Sequence, residues 1–471
     1  MPAEGRLPAQ RFDSEGRSHV SIRAILILAA PLMVTNAIQA ALNLTDTWFV
    51  GRLSTDSVAA MSSIYWLVMM FVLLFSGVGL AVQSFVSQAY GSRRRARAAR
   101  ATWSGAWASL LTAPIFIGMA FLGAPMLRPF GLDTDIETLA LSYWEPRMWG
   151  AAIGTMQWAL LSFFNGVGAT RVTMLIALLI TIANVAANQF FMFELGLGMA
   201  GAAWGTNAAQ LLGLIVSFGV FLSQRYASEF RSRLMWRPNL SLMWRQWRIG
   251  APVGVMYGAD LLGVALLQLM IARIGTAPAA ATQIVMMLTS IAYMPTIGVA
   301  TAGTTLVGQA IGAGEREWAA RLGNVVIMIC VALMAGIAVI LLIIGPWVLE
   351  SFVSSGDAAA AATVSLGLLL LWPAAAYQAF DGLYFGSSFC MRAAGDTQVP
   401  ALAALGLSWF LFVPLAHALV FEPGQGWIDF LPQYGLGAMG GWLALMGYAM
   451  ILGLSMLFRW RSGRWRTLSL S

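Results

Sequence analysis

Residues 27–46 read ILAAPLMVTNAIQAALNLTD, a run about as long as the 20 or so residues a helix needs to cross the hydrocarbon core of a bilayer. The single charge is Asp46, at its end. The polar residues recur: Asn36, Gln39, Asn43 and Asp46 are spaced by three, four and three residues, which puts all four on one face of a helix. Lipid cannot satisfy amides, so that face must line a cavity or pack on polar partners. Such a helix needs others around it, and the stretch therefore predicts a polytopic, all-α integral membrane protein.

The rest of the chain agrees. Of its 471 residues 59% are hydrophobic and 10% charged, with mean hydropathy +0.75; a soluble domain carries roughly 25% charged residues. Apolar blocks fall at 21–49, 57–90, 101–124, 138–165, 172–194, 199–223, 249–273, 278–312, 319–345, 359–389, 398–420 and 436–458, which is about twelve helices. The blocks are too long for the alternating strands of a barrel. They divide the chain into an N-terminal tail at 1–20, a first six-helix lobe at 21–223, a linker at 224–248, a second lobe at 249–458 and a tail at 459–471. The first segment, with Glu4, Asp13 and Glu15, lacks the apolar core of a cleavable signal peptide. Cys330 and Cys390 both lie in apolar blocks and read as core residues, with no disulfide or thiolate site expected.

All 27 basic residues are Arg. With the N-terminus inside, only Arg52, Arg128, Arg147 and Arg273 fall on the opposite side, so the positive-inside rule places both termini in the cytoplasm. The short outer loops carry acids: Asp56, Asp133, Asp135, Glu137, Glu194, Glu350, Asp357, Glu422 and Asp429. The run SRRRARAAR at 92–100 is read as an orientation signal, and the net charge of +7 as a topology effect with no nucleic-acid partner.

The halves repeat. AAPLMV at 29–34 resembles GAPVGV at 250–255, and SQAYG at 87–91 resembles GQAIG at 308–312, both at an offset of 221 residues. NGVGATRV at 165–172 resembles RAAGDTQV at 392–399 at an offset of 227, and GLGMAG at 196–201 resembles GLGAMG at 435–440 at 239. Six spans per repeat is an even number, so the lobes share orientation and are related by a pseudo-twofold axis along the membrane normal.

A carboxylate inside a span is costly and marks function by default. Three qualify: Asp46, Asp260 and Asp381. Glu145, beside Pro146 and near Arg147, reads as an interfacial ion pair. Around Asp46 the candidates are Asn36, Gln39, Asn43, Asn165, the i, i+4 pair Asn184 and Asn188 on the fifth helix, and Thr206 on the sixth. Their oxygens suit a hard cation or a protonatable carboxylate; amides of this kind also serve as glue between helices. In the second half Asp260 lies mid-helix, and Tyr377 and Asp381 form an i, i+4 pair. Two carboxylates in one dry cavity need a bound cation or a proton, which is the basis of a coupling site. At the 221 offset Asp260 matches Gln39 and Asp46 matches Leu267, so the halves place their acids at different depths. Met256, Met270, Met286 and Met287 read as core or as an adaptable wall, and His417 as structural. No phosphate-binding loop, paired metal ligands or nucleophile motif is present, so ATP-driven transport and enzymatic activity are not expected.

The Pro31–Asp46 helix followed by TWFVGRLS, SQAYG with its repeat GQAIG, FNGVGATR followed by IANVAANQFF, GAAWGT and AAYQAFDG together resemble the multidrug and toxic compound extrusion (MATE) family, NorM-type, over essentially the whole chain. The resemblance implies two six-helix lobes flanking a cleft and export of small cationic amphipathic compounds in exchange for Na⁺ or H⁺. It puts Asp46 at the family's N-lobe carboxylate, with Asn184, Asn188 and Thr206 around it, and matches Tyr377 and Asp381 to the C-lobe pattern. Asp260 stands where those proteins usually have Glu.

These readings converge on a cation-coupled multidrug antiporter working by alternating access in a bacterial-type inner membrane. It is expected to be a monomer among lipids, with no cofactor beyond the coupling ion. A Na⁺ would sit at Asp260 and Asp381 or at Asp46. The alternatives are a lipid-linked precursor flippase, which needs a cationic cavity where few Arg are expected within spans, a major-facilitator transporter, disfavoured because GSRRRAR lacks that family's Asp, and a non-transport membrane subunit.

Overall fold

The computed structural model describes residues 7–128, 133–352, 358–428, 430–468 and 470. In chain order the long helices among them are α1 Ile22–Gly51, α2 Thr55–Gly91, α3 Arg95–Ala120, α4 Thr134–Gly166, α5 Thr170–Glu194 and α6 Gly198–Phe221, then α7 Leu240–Ile274, α8 Thr276–Gly312, α9 Arg316–Phe352, α10 Ala358–Ala394, α11 Gln398–Val420 and α12 Gly437–Arg461. Eleven are long and apolar enough to cross a membrane. The twelfth, α4, has the length, 33 residues, and is made polar by Glu145, Arg147, Gln157 and Asn165. The chain is a multi-pass membrane protein of the expected all-helical class.

Side-chain caps set several helix starts, as the orphan N–H groups of a first turn require. The Ser21 hydroxyl accepts from Ala24 N, Ser54 from Ser57 N and Asn239 Oδ1 from Leu242 N. The last of these starts α7 at Leu240, so the end of the predicted linker at 224–248 belongs to a helix, and the linker contains a short helix of its own, Gln224–Phe230. The predicted N-terminal tail also holds structure: Gln10–Phe12 pairs antiparallel with Ser18–Val20, a turn closed by Arg17 N and Glu15 N donating to Asp13 Oδ1. Trp318 on α9 donates to Pro8 O at 2.9 Å, which ties this hairpin to the bundle. Cys330 and Cys390 are free and buried. Glu4, Arg6, Asp357 and Asp429 lie outside the described residues, as does the side chain of Glu350.

The sequence repeat reappears as reciprocal contact between the halves on the Arg-rich face. Gln88 Nε2 donates to Ala393 O at 2.8 Å, and its repeat mate Gln309 donates to Gly166 O at 3.0 Å. Ala393 and Gly166 are themselves equivalent positions at the 227 offset. Gly91 lies against the Gln309 backbone and Gly312 against the Gln88 backbone, so closely that a Cβ on either would collide with the facing carbonyl. Nearer mid-membrane Gly77 on α2 meets Gly254 on α7, and Gly298 on α8 meets Met33 on α1. Each residue thus touches the mate of the residue its own mate touches, which is the geometry a twofold axis imposes.

Candidate functional site

Between the lobes lies a cavity of about 460 Å³. Asn36, Gln39, Asn43 and Asp46 all line it, so the polar face of α1 is turned to the cavity and its other faces to apolar surroundings. Asn36 Nδ2 also donates to Met294 O on α8 at 3.0 Å, joining the lobes across one wall. The charged side chains on the wall, among the described residues, are Asp46, Arg147 and Arg392.

Asp46 is buried, and Asn188 Nδ2 donates to its Oδ1 at 2.7 Å. The same amide reaches Asn184 Oδ1 at 3.2 Å, as residues one helical turn apart can. Asn184 Nδ2 in turn reaches Thr206 Oγ1 at 3.4 Å, and that hydroxyl donates to Ala202 O within α6. Asp46, Asn184, Asn188 and Thr206 therefore form one hydrogen-bonded chain across α1, α5 and α6. Gly205 makes the approach possible, because a Cβ there would strike Asn188 Oδ1. Directly after Asn188 the helix widens into a π-helical turn, Gln189–Glu194, a distortion often found at functional sites. Asn188 Oδ1 is buried without a donor. That oxygen faces Gly205, so the oxygens of the type hard cations take are those of the Asp46 carboxylate and Asn184 Oδ1.

Asn165 does not join this chain. It lines the cavity, but its Oδ1 accepts from Thr173 at 2.7 Å and its carbonyl from Thr305, near the Arg-rich end of α4. Arg147 departs further from expectation. It does not pair with Glu145, which is exposed; it is 2% exposed, lines the cavity and donates from Nη1 to Asn207 Oδ1 at 3.0 Å. Asn207 also donates to Pro146 O at 2.6 Å, so the amide of α6 orients the guanidinium. A pattern of loops and charges counts Arg147 with the outer loops, because only packing shows that α4 carries it inward.

In the second lobe the acids are held by phenols. Tyr384 and Tyr448 donate to the two oxygens of Asp260 at 2.9 and 2.7 Å. Tyr293 donates to Asp381 Oδ2 at 2.6 Å. The Tyr377 hydroxyl lies 3.2 Å from that of Tyr293, so it supports the phenol and does not contact the acid through a hydrogen bond. Asp260, Tyr377 and Asp381 are absent from the lining of the interlobe cavity. A second π-helical turn, Ser408–Phe412 in α11, lies beside this site, with Phe412 stacked on Tyr448 at 5.1 Å. Sequence reading missed Tyr293, Tyr384 and Tyr448; the available signal was that a phenol inside a span needs a hydrogen-bond partner.

Met256 and Met270 are core, Met287 is exposed, and Met286 accepts from Gln268, so none forms the cavity wall. His417 Nε2 accepts from Trp427 N and Ile428 N, fixing a loop. Two Arg, Arg147 and Arg392, are buried and both lie on the cavity. No group of three or more His, Cys, Asp or Glu suited to a metal occurs among the described residues.

Comparison with known proteins follows the same division into halves. The sequence model of the MatE family matches residues 31–190 and 252–417. The probable multidrug resistance protein NorM of Burkholderia pseudomallei is 29% identical over 451 residues, covering 93% of this chain and 91% of that protein. The protein of the same name from Bradyrhizobium diazoefficiens is 30% identical over 421 residues, covering 86% and 89%. Among solved structures, a MOP superfamily transporter from Pyrococcus furiosus superposes with TM-score 0.82 at 19% identity, covering 93% of this chain and 94% of that one. An outward-facing multidrug resistance MATE family transporter gives 0.81 at 20% identity, covering 95% and 96%. At those identities the structures speak to the fold.

Proposed function

The chain belongs to the MatE family, whose members are transporters and not enzymes, and on that premise we propose that it is a multidrug efflux antiporter exchanging amphipathic organic cations for Na⁺ or H⁺. The observation that carries this reading is Asp46, a carboxylate in the wall of an interlobe cavity with amide partners on two other helices. An ion and a cationic substrate compete there for one negative charge. Linkage then requires each to weaken the binding of the other. The interlobe contacts repeat about a twofold axis, which suits rocking of one rigid lobe against the other around a fixed site. Asn184, Asn188 and Thr206 hold Asp46 in place, Asn36, Gln39 and Asn43 line the path beside it, and Asp260 and Asp381 form a second ion site. The protein works as a monomer in the inner membrane with both termini in the cytoplasm.

One observation favours a second reading, a flippase for lipid-linked precursors: the wall carries two guanidiniums against one carboxylate. The experiment that separates them is uptake of a cationic dye into liposomes carrying the purified protein, with Na⁺ and pH gradients imposed separately. Accumulation under one gradient supports the antiporter and names its ion. Folded protein that accumulates nothing under either gradient, yet moves a fluorescent lipid-linked phosphate across the bilayer, overturns it in favour of the flippase.

A further inference from the structure

Asp46 accounts for one of three charges on the cavity wall; the other two, Arg147 and Arg392, have no ionic partner among the described residues, and Arg392 is held by the longer side-chain hydrogen bond. It is 4% exposed, its Nε has no hydrogen-bond partner, and its Nη2 reaches Thr304 Oγ1 only at 3.5 Å. Its Cζ sits 4.1 Å from the centre of the Phe389 ring. The carboxylate four residues along the chain, Asp396, is taken by Arg459 at 2.8 Å. Arg147 also has an unpartnered Nε, but its Nη1 is held at 3.0 Å by Asn207, which Pro146 O fixes in turn. A buried guanidinium with no counter-charge is strongly destabilising unless something supplies the charge. The fold itself does not require a cation here, because the repeat mate of Arg392 is Asn165, a neutral residue on the same cavity.

From this we infer that Arg392, with Tyr257 and Phe389 beside it in the wall, is a subsite for an acidic group, a carboxylate or another oxyanion, on the transported compound. The inference rests on the transport reading above and narrows its substrate class to amphipathic zwitterions. Arg392 lies two residues from the Arg-rich end of α10, and Asp46 five residues from the opposite end of α1. The two charges therefore bracket the cavity along the membrane normal, with Phe385 and Phe389 offering aromatic faces for the body between them. Guanidinium suits the task because its planar fork can take both oxygens of a carboxylate.

The test uses two probes that differ in one group: a rhodamine free acid, which is zwitterionic, and its methyl ester, which is cationic. Binding of each to the purified full-length protein is followed by fluorescence anisotropy. The free acid is expected to bind at least ~10-fold more tightly than the ester, a difference of the size charge-assisted pairing provides. In Arg392→Gln the ratio is expected to fall to about one, with partial recovery in Arg392→Lys, which keeps the charge and loses the fork. The wild-type ratio needs no variant, so it decides even where Arg392→Gln fails to fold. An ester bound as tightly as the acid overturns the subsite and leaves the transport reading standing, as does an unchanged ratio in a folded Arg392→Gln. Binding of neither dye to monodisperse protein overturns the transport reading and the subsite with it.

Discussion

The two lobes hold their acids in opposite ways. Asp46 stands on the cavity wall, held by the Asn188 amide, which also reaches Asn184 Oδ1. Asp260 lies off the cavity with a phenol on each oxygen, and Asp381 is held by Tyr293. An amide brings both donor and acceptor atoms, whereas a phenol that donates to a carboxylate neutralises part of its need for any other partner. The N-lobe acid faces the cavity, whereas each C-lobe acid lies off it and already has a phenolic donor, so an ion there would share the carboxylate with that phenol. Pseudo-symmetry of backbone thus coexists with asymmetry of chemistry.

That contrast can be broken most directly at Asp46. Asp46→Asn should bring gradient-driven dye accumulation in proteoliposomes down to the protein-free background, with elution volume and helicity unchanged; coupled transport persisting at the wild-type rate would move the coupling site to the C-lobe. Next in size, Tyr448→Phe strips one donor from Asp260, and leaving a buried acceptor unmet costs about 1–3 kcal/mol. A lowered Tm in the purified protein is the expected reading, with a larger loss of stability than of ion dependence. Gly91→Val tests the junction that lets the lobes differ while still meeting. Its side chain would strike the Gln309 carbonyl, so the Arg-rich ends of α2 and α8 should move apart, seen as a longer distance between spin labels placed there. The smallest effect is at Asn165. Asn165→Ala should lose about 1 kcal/mol with its Thr173 bond and should shift the ion concentration for half-maximal transport less than Asn188→Ala does. The reverse order would put Asn165 in the Asp46 chain.

Much of the architecture is legible in the chain because lipid leaves few choices: apolar blocks of spanning length must be helices, and a repeat of six of them must keep its orientation. The α1 stripe is legible for the same reason, since amides at helical spacing have to find a polar surface. Asn184, Asn188 and Thr206 follow by a weaker route, as polar residues on neighbouring spans. Within the linker at 224–248, Leu240–Arg248 is rich in Trp and Arg and gives no apolar block, and the helix there follows from the Asn239 cap.

The sequence by itself determined that the protein spans a membrane, that its halves repeat and that α1 presents a polar face ending in Asp46, since apolar block length, motifs recurring at a near-constant offset and polar spacing along one helix decide these in turn. Only the tertiary structure decided which helices meet. It turned Arg147 and Arg392 from orientation charges into buried cavity residues, joined Asp46 to Asn188 across 142 positions of chain, left Asn165 with Thr173, and gave Asp260 and Asp381 their phenols. The physical reason is that a helical sequence fixes directions about its own axis, whereas the partner of a buried charge depends on the rotation and depth of every helix packed against it, and these are set by close contacts such as Gly91 with Gln309 and Gly77 with Gly254.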